Sequence, residues 1–199
     1  MARPADPQRR ATILRAAMEV FTEQGFSDTR LADIAQRAGV VISTLYLYFS
    51  SKEEMVRAIA QEKRQILLEQ LRPVLEHLRG EEDIAQFVEI VLAFAKEHHE
   101  QIVIFNLESG LGTARWRRQN MNYGPRIARG IEIISHLIAE GSLYPYDPEL
   151  VMEMLITQTL WIINRSLTIK EEEEEQLKQF CVQWLSRALL PSSDNIGSA

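Results

Sequence analysis

Apolar residues recur along this chain at intervals of three and four, the period of helices rather than strands. In the first such segment Ile13, Ala17, Val20 and Phe21 share one face. Asp6 stands before it as an N-cap and Pro7 occupies its first position. Gly25 closes it, and Phe26 is placed to pack back. "TRLADIAQRAG" reads as a second helix, with Thr29 as cap, Leu31, Ile34, Ala35 and Ala38 as apolar face, and Gly39 as terminator.

Residues 41–49, "VISTLYLYF", have the composition of a strand. They lie between two helix signals, however, with no partner strand nearby. As a short helix, Leu45 and Phe49 fall at i, i+4 and join Val40 in a small core. Ser43, Thr44 and Leu47 then face outward, with Tyr46 and Tyr48 on the flanks. Ser51 and Glu54 predict a capping box for the next helix. That helix runs through Met55, Ile59, Ile66 and Leu67 towards Pro73, which is expected to kink or end it.

Five further helices are expected, over 81–98, 100–109, 113–140, 147–168 and 170–190, with Gly124-Pro125 interrupting the third. The 147–168 segment is apolar nearly all round, which predicts burial on more than one side. The last helix carries Leu177, Phe180, Cys181, Trp184 and Leu185 on one stripe. Residues 191–199 read as a disordered tail. The expected class is all-α, with domains at 1–52 and 53–190.

Charge divides the chain in the same place. The net charge is −6, yet residues 1–52 hold seven Arg and Lys against five Asp and Glu. A slightly basic head on an acidic body points to two jobs. Cys181 is the only cysteine, so no internal disulfide is possible. With no apolar run near the roughly 20 residues that span a bilayer, and no secretory leader, a cytoplasmic protein is expected. His98 and His99 are adjacent, so their side chains diverge on a helix and do not form a chelating pair. No catalytic triad or metal-ligand spacing is apparent, so no enzyme activity, metal or cofactor is expected.

Two helices joined by a glycine turn, with a third behind them, make a helix-turn-helix. "EQGF", "TRLADIAQRAGV" and "STLYLYFSSKEEM" together resemble the tetracycline-repressor (TetR) family of bacterial transcription regulators. The resemblance implies an N-terminal three-helix helix-turn-helix DNA-binding domain and a larger C-terminal helical domain for ligand binding and dimerisation. It implies a DNA face made of Thr29, Arg30, Val41, Ile42, Ser43, Thr44, Tyr46, Tyr48 and Lys52. In it Thr29 caps the second helix and touches a phosphate, and residues 41–43 face bases. Thr44, Tyr46 and Tyr48 offer hydroxyls to phosphates and sugars, and Lys52 holds another phosphate. Where the family often carries Ser, a polar or basic residue, and His, Tyr or Arg, this chain has Val41, Ile42 and Leu47.

The implied function is a ligand-responsive regulator, a repressor released from a pseudo-palindromic DNA operator by a small, largely apolar effector. Phe87, Phe105, Met121, Tyr123 and Trp161 are the expected ligand walls, with Glu108 as polar anchor. Leu177, Phe180, Cys181, Trp184 and Leu185 are the expected homodimer interface. The alternative is a helical interaction module that keeps the fold without specific DNA binding, which the apolar Val41, Ile42 and Leu47 favour.

Overall fold

The computed structural model describes residues 6–100, 102 and 125–191. Among these, every regular element is a helix: α1 Pro7–Gln24, α2 Leu31–Arg37, α3 Ile42–Tyr46, α4 Lys52–Glu76, α5 Glu81–Glu97, α6 Pro125–Ala139, α7 Pro148–Ser166 and α8 Glu174–Leu189. A single 3₁₀ turn, Glu171–Glu173, leads into α8. The expected Phe105, Glu108, Met121 and Tyr123, the segment 113–124 and residues 192–199 lie outside the described residues.

By contacts the chain forms two compact units. The first contains residues 6–65 with 98–100 and 102; the second contains 66–97 and 125–191. The division falls at Gln65, inside α4, not after residue 52.

In the first unit, Ile13, Ala17, Val20 and Phe21 of α1 are buried against Ile34 and Ala35 of α2, Leu45, Phe49, and Met55 and Ile59 of α4. The Asp6 carboxylate accepts from the Gln8 N–H at 3.0 Å, starting α1 as expected. Gly25 stops it at φ 79°, a value costly for any residue with a Cβ, and Phe26 turns back onto Phe21 with ring centres 5.3 Å apart. Gly39, at φ 66°, performs the same service after α2, and the Val40 N–H reaches the Ala35 carbonyl at 2.9 Å.

Two helix boundaries differ from expectation. α4 runs through Pro73 to Glu76, so the helix continues for one last turn beyond the point where the proline was expected to end it. A ring without an N–H removes one ladder bond, and the helix ends within one turn of that loss. At the other end the Ser51 hydroxyl accepts from the Glu54 N–H at 3.2 Å, one half of the expected box. The Glu54 carboxylate returns to Ser50 instead, accepting from its N–H and its hydroxyl, each at 2.7 Å. The Ser50 N–H, then its hydroxyl, hold that carboxyl below the usual carboxylate range.

In the second unit α5 packs on α7 and α8, and α6 packs on α7. Gly130 lies at this contact, where a Cβ would meet Met152 Cε, the tip of a flexible side chain, at 2.3 Å. Lys96 pairs with Glu174 at 2.8 Å, and Lys178 pairs with Glu89, so α5 and α8 are joined by two ion pairs. α7 buries Val151, Met152, Leu155, Ile162 and Ile163 but exposes Leu150 and Trp161.

Candidate nucleic-acid interface

α2, the Gly39 turn and α3 form the helix-turn-helix, and α3 is its shorter member. Five residues cannot hold a helix alone. Leu45 and Phe49, both essentially inaccessible, anchor it in the core of the first unit. Val41 precedes it as N-cap with no side-chain hydrogen bond, as expected for a residue with no acceptor to offer.

Anchoring by Leu45 turns the remaining side chains out. Val41 is 67% exposed, Ile42 42%, Tyr46 55% and Leu47 80%. Ser43 is exposed, and Thr44 is half-buried. The Tyr48 hydroxyl accepts from the Asp6 N–H at 3.2 Å, tying the end of the reading segment to the start of α1.

Two expected phosphate ligands are placed otherwise. Thr29 is only 2% exposed, and its hydroxyl donates to the Gly25 carbonyl at 2.7 Å. It therefore does not cap α2. The N-cap is Arg30, whose N–H donates to the Asp33 carboxylate at 3.1 Å. Lys52 donates to three carbonyls, Phe26 at 2.6 Å, Ser27 at 3.1 Å and Thr29 at 2.8 Å. An ammonium has three protons to give, and all three are engaged within the turn between α1 and α2. The family resemblance gave Lys52 a phosphate; here the turn between α1 and α2 holds it.

Other cations of the first unit are also paired. Arg37 forks onto Glu23 at 2.6 and 2.9 Å and reaches Glu19 at 3.3 Å. The Arg37 hydrogen bond holds the Glu23 carboxyl below its usual range. Arg10 pairs with Glu62 at 3.0 Å and lies 5.2 Å from the centre of the Phe49 ring. Arg9, Arg15, Arg30 and Arg57 are exposed and carry no ion pair among the described residues.

The family model described as bacterial regulatory proteins, tetR family, matches residues 13–59, the span just described. The HTH-type transcriptional regulator YvdT of Bacillus subtilis, itself uncharacterised, is 35% identical over 138 residues, 65% of this chain and 69% of that protein. The chain belongs to the tetR family. Its fold class and its role as a DNA-binding transcription regulator follow from that membership. The HTH-type transcriptional repressor KstR2 of Mycobacterium tuberculosis is 29% identical, over 79% of this chain and 80% of its own length. The solved SmeT–triclosan complex shares the fold at a TM-score of 0.64 and 19% identity, covering 96% of both chains.

Two expectations for the C-terminal part change. Trp161 was expected in a ligand wall. It is 42% exposed, with its ring centre 6.2 Å from that of Phe180, so it stands on an outer face. The stripe on α8 divides: Phe180 and Trp184 are exposed at 56% and 42%, whereas Leu177, Cys181 and Leu185 are buried within the chain itself. Phe87 is buried at 2% exposure on α5. Among the described residues no group of His, Cys, Asp and Glu is placed to hold a metal ion, and no helix is long and apolar enough to cross a membrane.

Proposed function

We propose that this regulator is a cytoplasmic repressor that binds a pseudo-palindromic operator as a homodimer and leaves it when a small, largely apolar molecule binds the C-terminal part. The observation that carries the DNA side is α3, pinned by Leu45 and Phe49 and presenting Val41, Ile42, Ser43, Tyr46 and Leu47 to solvent. In this reading residues 41–43 meet bases, and Thr44, Tyr46 and Tyr48 hold the backbone. Arg30 supplies charge at the edge. The pairing side rests on Trp161, Phe180 and Trp184, three large aromatics left uncovered on one chain. Large, desolvated aromatic anchors are what an obligate two-fold interface uses.

The effector side rests on relatives: KstR2 is a repressor, and SmeT was solved with triclosan. Release works by population shift, the effector binding better to the form whose two heads are wrongly spaced. Phe87, with Phe105, Glu108, Met121 and Tyr123, remains the proposed wall. No enzymatic step is assigned.

A mobility-shift assay with the full chain on DNA flanking its own gene tests the reading. A shifted band that survives competitor DNA of random sequence is expected. Uniform, weak retention of every duplex would favour the second reading, an interaction module without specific DNA binding. The apolar α3 face and the engaged Lys52 ammonium support that second reading.

A further inference from the structure

Direct reading of guanine in the major groove uses Arg or Lys, and reading of adenine uses Asn or Gln. The exposed side chains of the reading segment include none of these. They are Val41, Ile42, Ser43, Tyr46 and Leu47, with Leu47 the most exposed large hydrophobic residue described, at 80%. The nearest lysine, Lys52, is held by three carbonyls. The one strongly apolar feature that a base pair shows in the major groove is the 5-methyl group of thymine.

We infer that this head reads DNA chiefly through 5-methyl groups, with Ile42 and Leu47 as the specificity-determining side chains and Val41 as a third contact. The inference rests on the proposed DNA-binding role of α3 and deepens it. Tyr46 and Thr44 position the helix, while the apolar residues select thymine-bearing base pairs. Ile42 opens the helix and Leu47 follows its last residue, so their contacts fall on base pairs at the two ends of the segment. Ser43, exposed between them, accepts or donates to several bases and discriminates weakly.

Thymine and uracil pair identically and differ only in that methyl group, so the test is chemical. The full-length protein enriches duplexes from a randomised library. The enriched duplex is then resynthesised with deoxyuridine at each thymine in turn. Two or three positions per half-site should each weaken binding by on the order of 3- to 10-fold, the scale of burying one methyl group. In Ile42→Ala the penalty at one of these positions should vanish, and in Leu47→Ala the penalty at another. Both side chains are exposed, so both variants should melt like the parent. Enrichment of a site whose binding ignores deoxyuridine at every position would overturn the inference while leaving specific DNA binding intact. In that outcome the apolar face is free for a protein partner. No enrichment at all would sink both the inference and the repressor reading.

Discussion

The ammonium of Lys52 lies 2.6 Å from the carbonyl oxygen of Phe26 and 4.6 Å from the centre of its ring. One side chain at the start of α4 thus holds the turn that leads into the reading helices. Its removal takes the donor from three carbonyls, two of them part-buried. Lys52→Ala should therefore destabilise the protein by roughly 1–3 kcal/mol, read as a lower denaturant midpoint. It should leave the slope of DNA affinity against salt unchanged. A normal midpoint with a slope reduced by about one phosphate contact would return Lys52 to the DNA.

Salt dependence also tests the head as a whole. Arg10, Arg37 and Lys52 are engaged within the protein, whereas Arg9, Arg15, Arg30 and Arg57 are exposed without an ion pair among the described residues. Each neutralised phosphate contributes about −0.9 to the slope of log affinity against log salt, so phosphate contacts by Arg9 and Arg30 alone, on each of two heads, give roughly −4. Filter binding between low and moderate salt should return a value near this. A slope of about −8 or steeper would mean that further cations engage and that apolar contact is secondary.

The proposed pairing can be tested from the surface. Phe180→Glu with Trp184→Glu should yield a monomer or an aggregate by sedimentation, because both side chains are exposed in the single chain and both charges would be buried on pairing. Leu185→Glu should instead prevent folding, since Leu185 is 1% exposed within its own chain. A double variant that sediments as a folded dimer would place the interface elsewhere.

Cys181 gives a pH-dependent signature. Burial pushes its thiol up to about 11, whereas an unfolded cysteine titrates near 8.5. Between those values the unfolded chain has lost a proton that the folded chain keeps. Stability from this group is therefore full below about pH 8.5 and falls as pH rises towards 11. A disulfide dye at pH 7.5 should label the native protein slowly and the denatured protein at once. Rapid native labelling would show the thiol to be open.

Much of this was legible in the sequence because it depends on local chemistry. Asp6-Pro7, Gly25 and Gly39 mark helix ends by side-chain and backbone geometry alone, and Leu45 with Phe49 reveal the inward face of α3 by spacing. Side-chain bonding across the fold was not legible. Thr29 looks like a cap from its neighbours, yet its hydroxyl turns to Gly25 because the residue is buried. Lys52 looks like a phosphate ligand until the carbonyls of residues 26, 27 and 29 surround it. The α8 stripe failed for a geometric reason. A helix face wide enough for five apolar residues meets two environments, and only the fold shows that Leu177, Cys181 and Leu185 meet one while Phe180 and Trp184 meet the other. Trp161 moved from wall to surface in the same way.

The position of Trp161 beside Phe180 makes this protein its own optical reporter. Of the three tryptophans in the chain, Trp161 and Trp184 stand on the exposed aromatic face. Indole emission moves to longer wavelength when water replaces apolar neighbours. On the pairing proposed above, dissociation would register as a colour change with no label attached, and acrylamide would quench these two rings more strongly in the dissociated sample.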